Sequence, residues 1–254
     1  MQNNFKYFSG IIYVHFPESN KHGCDEQCSF CPFSKINYNI EFKPTDEEII
    51  KFISQIEPNS FVQISSPGDP LYNFEKNKDY LVHVIDLVKL YGYKVWLTTK
   101  DFKTVAHYWE TLLSKVDLFS LSCEEVSDEF ISLIQRLSEA KKVRVTKLYN
   151  TTNELTQDEF DSAQDFIKYF NEIELNKENF QLYFRLNMKF NNYSLDTIDG
   201  LKFKFYILTK EYGYKISIGQ HSVRKQLWNG QEVPGWELLK VAYQDMGLEL
   251  DSEE

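Results

Sequence analysis

Nowhere does the chain carry an apolar run near the roughly 20 residues that a bilayer span requires, so no transmembrane helix is expected. The opening residues, Met1 to Lys6, are polar and lack the basic-then-apolar order of a secretory signal. Basic residues are in deficit: 28 Lys and Arg stand against 38 Asp and Glu, giving a net charge of −10. Phosphate backbones are held by an excess of Lys and Arg, so broad contact with nucleic acid is disfavoured, while a single nucleotide stays compatible. Cysteine is scarce too. Four thiols in a chain without a signal do not make a disulfide framework, and a reducing, cytoplasmic location is expected. Three of them, Cys24, Cys28 and Cys31, fall within eight residues, whereas Cys123 stands alone. That distribution reads as a local ligand cluster plus one separate thiol.

Large aromatic residues are abundant. Twenty Phe and sixteen Tyr supply buried area enough for a folded core, which excludes a disordered chain. From Gly10 to about Leu186, short apolar strands alternate with amphipathic helices. The strands are expected at Ile11–Phe16, Phe61–Ile64, Lys94–Thr98, Asp117–Ser122, Val143–Leu148 and Phe180–Leu186. Thr45-Asp-Glu-Glu48 and Thr156-Gln-Asp-Glu159 are capping boxes that open two of the helices. Such repeats with short connections imply parallel strands and right-handed crossovers, an α/β fold. A partial (β/α)6 barrel suits one-striped helices better than a flat doubly wound sheet, and functional groups belong at the C-terminal strand ends. Residues 8–190 are expected to form this barrel, and 191–254 a C-terminal α+β extension packed on it. In that extension Leu201–Leu208 and Tyr214–Ile218 read as a hairpin, followed by a helix opened by Pro234.

The segment Gly23-Cys-Asp-Glu-Gln-Cys-Ser-Phe-Cys-Pro32 lies on the loop after the first strand. Thiolates are soft ligands that suit iron–sulfur clusters or zinc. A full [4Fe–4S] site takes four thiolates, so three leave one iron open to a substrate or cofactor. The competing assignment is structural zinc with His22 or His15 as fourth ligand, although zinc sites usually present two separated ligand pairs and no second pair exists here.

Cys-x3-Cys-x2-Cys with an aromatic residue before the third cysteine, placed after the first strand, resembles the signature of the radical S-adenosylmethionine (SAM) superfamily. The resemblance implies an oxygen-sensitive [4Fe–4S] cluster on Cys24, Cys28 and Cys31, with SAM on the fourth iron. Reductive cleavage of SAM to a 5′-deoxyadenosyl radical would follow, with electrons from a donor such as flavodoxin or ferredoxin.

The resemblance extends to other positions. Ser65-Ser-Pro-Gly-Asp-Pro70 resembles the family's Gly-Gly-Glu-Pro segment, which implies that Ser66, Gly68 and Asp69 receive the methionyl amine. Asp69 stands where the family has Glu, and Pro-Gly-Asp-Pro would form a turn in any case. Ser122, with Ser120 second, matches the polar residue used for the SAM ribose or carboxylate, and Phe30 the adenine contact. The family's glycine-rich adenine pattern is not visible at Lys147-Leu-Tyr-Asn150.

Substrate contacts are expected from Lys100, Arg144, Thr146, Lys147, Arg185 and Asn187. Each also has an ordinary reading as an ion-paired or surface group. Cys123 is a candidate hydrogen donor, although strand parity sets it opposite Ser122 and free cysteine commonly packs as a small hydrophobe. With no later cysteine cluster and about ten residues before the first strand, by periodicity, auxiliary clusters and an N-terminal peptide-recognition domain are not expected. The expected substrate is a small or nucleotide-like molecule. A glycyl-radical-enzyme activase, a peptide-modifying enzyme and a non-catalytic zinc or iron–sulfur module are the alternatives.

Overall fold

The computed structural model describes residues 8–18, 23–25, 31, 33, 39–123, 126–149, 157–186, 195–220, 227–228, 231–232, 237–238 and 240–241. Seven strands follow one another in chain order across one sheet: β1 (Phe8–Tyr13), β2 (Phe61–Ser65), β3 (Lys94–Thr99), β4 (Leu118–Cys123), β5 (Lys142–Tyr149), β6 (Phe180–Leu186) and β7 (Lys215–Gln220). β1 pairs with β2, β2 with β3, β5 with β6 and β6 with β7, all in parallel. Helices α1 (Asp46–Ile53), α2 (Phe74–Leu90), α3 (Phe102–His107), α4 (Trp109–Leu113), α5 (Asp128–Ala140), α6 (Gln157–Glu172) and α7 (Leu195–Tyr212) supply the connections. The fold is α/β, with β1 and β7 as sheet edges, the topology of a partial barrel that does not close.

Two compact units make up the chain: Met1–Ser120 with Lys225–Ala242, and Leu121–Arg224 with Tyr243–Glu254. The division expected at 190–191 falls between β6 and α7, both of the second unit.

In the first unit, Thr45 caps α1 as its sequence predicts. Its hydroxyl accepts from the Glu48 N–H, and the Glu48 carboxylate accepts from the Thr45 N–H at 2.8 Å. Ile49 and Ile53 of α1 are fully buried, as are Leu81, Val84, Ile85 and Val88 of α2. Gly10 lies against α1 so closely that a Cβ there would meet the Phe52 ring at 2.6 Å. Its neighbour on the same strand face, Ile12, is buried with Ile64 and Leu97. On the opposite sheet face Phe61, Trp96 and Leu118 form a core cluster. Gly92, at φ +83, terminates α2 in the left-handed conformation that glycine adopts without steric cost, and its N–H donates to the Lys89 carbonyl.

In the second unit an aromatic stack joins sheet to helices. Phe180 lies parallel to Phe170 of α6 at 5.3 Å, and Phe184 parallel to Phe205 of α7 at 5.1 Å. The buried Tyr214 hydroxyl donates to the Ile167 carbonyl at 2.6 Å.

Three expectations change. β1 begins at Phe8 and ends at Tyr13 rather than running from Ile11 to Phe16. Beyond Tyr13 the Val14 N–H still donates to the Ser65 carbonyl of β2, but His15 leaves that pairing and exchanges backbone bonds with Phe42. Val105, Tyr108, Trp109 and Leu112 recur at the spacing of one helix face, but the helix breaks at Tyr108 into α3 and α4.

The hairpin expected at Leu201–Leu208 is instead helix α7, leading into β7 parallel to β6. This segment is apolar on both alternate and helical spacings, so its period is ambiguous. Burial resolves it: Phe205 is 1% exposed while Phe203 is 64% exposed, a difference two strand residues on one face would not show. A short antiparallel pair does occur later, between Leu227–Trp228 and Gln231–Glu232. Residues 237–238 and 240–241 are helical, as the last helix predicts, whereas Thr156, Pro234, Trp236, Leu239 and Tyr243 lie outside the described residues.

The helical assignment predicts unequal costs of truncation. Phe205→Ala should destabilise the protein by about 3–5 kcal/mol and Phe203→Ala by less than about 0.5 kcal/mol, read from denaturant midpoints at constant m-value. Equal losses would restore the hairpin.

Candidate cofactor site

Cys24 and Cys31 are half-buried, and neither is in a disulfide. Cys28, His22 and Phe30 lie outside the described residues. The backbone entering the cysteine segment is held from below. His15 is fully buried, and its Nδ1 lies 3.2 Å from the Ser66 hydroxyl. Gly23 sits over this imidazole with φ +70, where a Cβ would come within 2.8 Å of His15 Cε1. Both the backbone sign and the close approach require glycine immediately before Cys24. The Gly23 carbonyl accepts from the Asp69 N–H at 2.8 Å, tying the cysteine segment to the turn after β2.

Asp69 is the centre of that turn. Its side chain is 5% exposed, and both oxygens accept hydrogen bonds: Oδ1 from the Leu71 N–H at 2.9 Å and the Thr99 hydroxyl at 2.7 Å, Oδ2 from the Lys100 N–H at 2.7 Å. One residue therefore joins the loop after β1, the turn after β2 and the end of β3. Burial pushes the Asp69 carboxyl above its ordinary value of 3.8, while the bonds from Lys100, Thr99 and Leu71 pull it down. Ser66 serves the same turn, its hydroxyl accepting from the Gly68 N–H at 3.1 Å. Glu18 adds a second tie, accepting from the Tyr72 hydroxyl at 3.1 Å and from Asn73 Nδ2 at 2.6 Å.

These residues gather Gly23, Ser66, Gly68, Asp69 and Lys100 at the C-terminal ends of β1, β2 and β3. Lys100 contributes through its backbone, and its side chain is half-buried. In β4, Ser120 and Ser122 share the parity of Leu118, whose face holds Phe61 and Trp96. Cys123, 4% exposed, has the opposite parity, in line with the fully buried Phe119 and Leu121.

Among the residues expected to meet a substrate, Arg144, Thr146 and Arg185 share a sheet face of the second unit. Lys147 falls on the other face, its ammonium 5.5 Å from the Phe166 ring centre of α6. Asn187 lies outside the described residues.

Sequence reasoning weighed His15 only as a metal ligand and gave no role to Thr99. The Gly-Cys dipeptide was a usable signal for Gly23. Nothing local marks His15 or Thr99, because their partners lie 51 and 30 residues away.

The donor set fits an iron–sulfur cluster. Soft thiol side chains, partly open to solvent, sit on a segment whose backbone is fixed by a glycine cradle and a buried carboxylate. A family model described as the radical SAM superfamily matches residues 21–172, more than half of the chain, and no curated protein matches it.

Two predictions follow the geometry. Asp69→Asn turns an amide N–H₂ toward a backbone donor and should cost about 1–3 kcal/mol in denaturant unfolding. Because the folded carboxyl binds its proton more tightly than the unfolded one, native stability falls as pH rises from about 3.8 through the raised value, and Asp69→Asn should flatten that slope. Gly23→Ala should destabilise by about 1–2 kcal/mol and lower the iron bound per chain after reconstitution. Full iron loading in that variant would show that the cradle is dispensable.

Proposed function

The chain belongs to the radical SAM superfamily, and we propose that it cleaves SAM reductively at a [4Fe–4S] cluster to give a 5′-deoxyadenosyl radical that abstracts hydrogen from a small or nucleotide-like substrate. The observation that carries this reading is the tie between the residue before Cys24 and the Ser66–Asp69 turn, which fixes a thiolate segment against the turn expected to receive the methionyl amine. Cys24, Cys28 and Cys31 would hold the cluster as thiolates.

Asp69 acts in this reading as a positioning residue. Three of its acceptor sites are already filled by Leu71, Thr99 and Lys100, so it orients the turn and leaves at most a remaining lone pair for the amine. His15 supports the cysteine segment from beneath and braces Ser66. Ser122, with Ser120, is proposed for the ribose or carboxylate of SAM, and Phe30 for its adenine. A reducing compartment and an external electron donor of the flavodoxin or ferredoxin type complete the reading. Among the described residues no helix is long and apolar enough to cross a membrane.

Anaerobic reconstitution with iron and sulfide, then reduction in the presence of SAM, tests the proposal. A brown protein that forms 5′-deoxyadenosine is expected, with Cys24→Ala and Cys31→Ala losing both colour and product. A colourless, zinc-loaded protein without SAM turnover would remove it. Cys123→Ala should leave product formation and deuterium incorporation unchanged if that buried thiol packs rather than donates hydrogen.

A further inference from the structure

Helix α7 is apolar on more than one side. Phe205 stacks on Phe184 of β6, and the Thr209 hydroxyl accepts from the Ile216 N–H of β7 at 3.0 Å, so the row through Phe205 and Thr209 faces the sheet. Successive residues turn by about 100° around a helix, which gathers Phe203, Tyr206, Ile207 and Lys210 on the far side. There Phe203 is 64%, Tyr206 57% and Ile207 48% exposed. Two apolar rows on one helix also explain why the period of Leu201–Leu208 is ambiguous in the sequence. A helix apolar on both sides is stable when both sides are covered, and here the sheet covers one.

We propose that the outer row of α7 is covered by the same row of a second copy of the chain, the two helices running antiparallel in a two-fold symmetric dimer. Single apolar residues are ordinary on a surface, but three large ones in one helix row mark a contact. This contact makes no use of the cysteine segment, so it goes beyond the catalytic reading.

The row is complementary to itself, which is what a two-fold contact requires. Its N-terminal end is the Phe203 ring, its middle is Tyr206 and Ile207, and its C-terminal end is the Lys210 ammonium. Lys210 Nζ already lies 5.3 Å from the Tyr206 ring centre of its own chain, so its stem runs along the row. Antiparallel packing sets Tyr206 and Ile207 of one copy on those of the other. It also brings each Lys210 ammonium to the Phe203 ring of the other copy, a cation–π contact, and opposes the two helix dipoles favourably. Parallel packing would instead set Lys210 beside Lys210 and align the dipoles.

The test is sedimentation equilibrium on the full chain, purified anaerobically, at physiological ionic strength. One helix pair is a modest interface, so a monomer–dimer equilibrium with Kd on the order of 1–10 μM is expected. Phe203→Lys sets two ammonium groups together and should weaken the dimer about thirtyfold or more. Phe203→Glu meets Lys210 of the other copy and should dimerise about tenfold more tightly than Phe203→Lys. That order is the reverse of what overall charge would give in a chain of net charge −10. Leu90→Lys, at an 80% exposed leucine of α2, should keep the wild-type Kd.

The wild-type denaturation midpoint should rise with protein concentration and that of Phe203→Lys should not. The small cost of Phe203→Ala is therefore read at dilution, where the chain is monomeric. If Phe203→Lys loses its native circular dichroism, Ile207→Lys replaces it with the same expected loss. A wild-type chain that stays monomeric at about 100 μM, a row variant that dimerises like wild type, or equal Kd values for Phe203→Lys and Phe203→Glu would each overturn the proposal.

Discussion

A single buried carboxylate organises the first unit. Asp69 reaches the end of β3 through Thr99 and Lys100, closes its own turn through Leu71, and uses its backbone N–H to hold the Gly23 carbonyl. Burying a charge of this kind is costly unless its lone pairs are filled, and here three donors converge on it from two chain segments. The consequence is mutual. The segments fix the carboxylate, and the carboxylate fixes the segments, so Gly23, just before Cys24, is positioned by a residue 46 places further along the chain.

His15 completes this arrangement from the other side. A fully buried imidazole beneath Gly23 leaves no room for a side chain there, and its contact with Ser66 links the same turn a second time. A cluster ligand on an untethered loop would lose conformational entropy on binding. Tethers at Gly23 place that cost in the folding of the sheet instead. The second unit solves a different problem with the same geometry. Its strands alternate aromatic residues toward the helices with Arg, Gln, Tyr, Lys and Ser toward the other face, so one strand period supplies both a core and a polar surface.

Local periodicity was enough for most of the elements. The capping box at Thr45, the α2 stop at Gly92 and the strand positions of β2 to β6 all follow from interactions within a few residues. It failed at Leu201–Leu208, where an apolar run satisfies both periods and only packing of Phe205 on Phe184 selects the helix. It also misjudged the end of β1, because His15 exchanges its backbone bonds with Phe42, distant in sequence, instead of continuing along β2.

The sequence alone determined the donor set: three cysteines at a spacing that soft metal clusters use, on a connection after a strand, in an α/β repeat. Those are facts of residue type and short-range order, and short-range physics is sufficient for them. Tertiary structure decided what Asp69 ties together: the loop after β1, its own turn after β2 and the end of β3. It also separated Lys147 from Arg144 and Arg185 by strand parity, and set Arg144 and Lys215 on either side of Gln181. Each of these depends on register between strands whose partners lie tens of residues apart, and register is a property of the folded sheet rather than of any one segment.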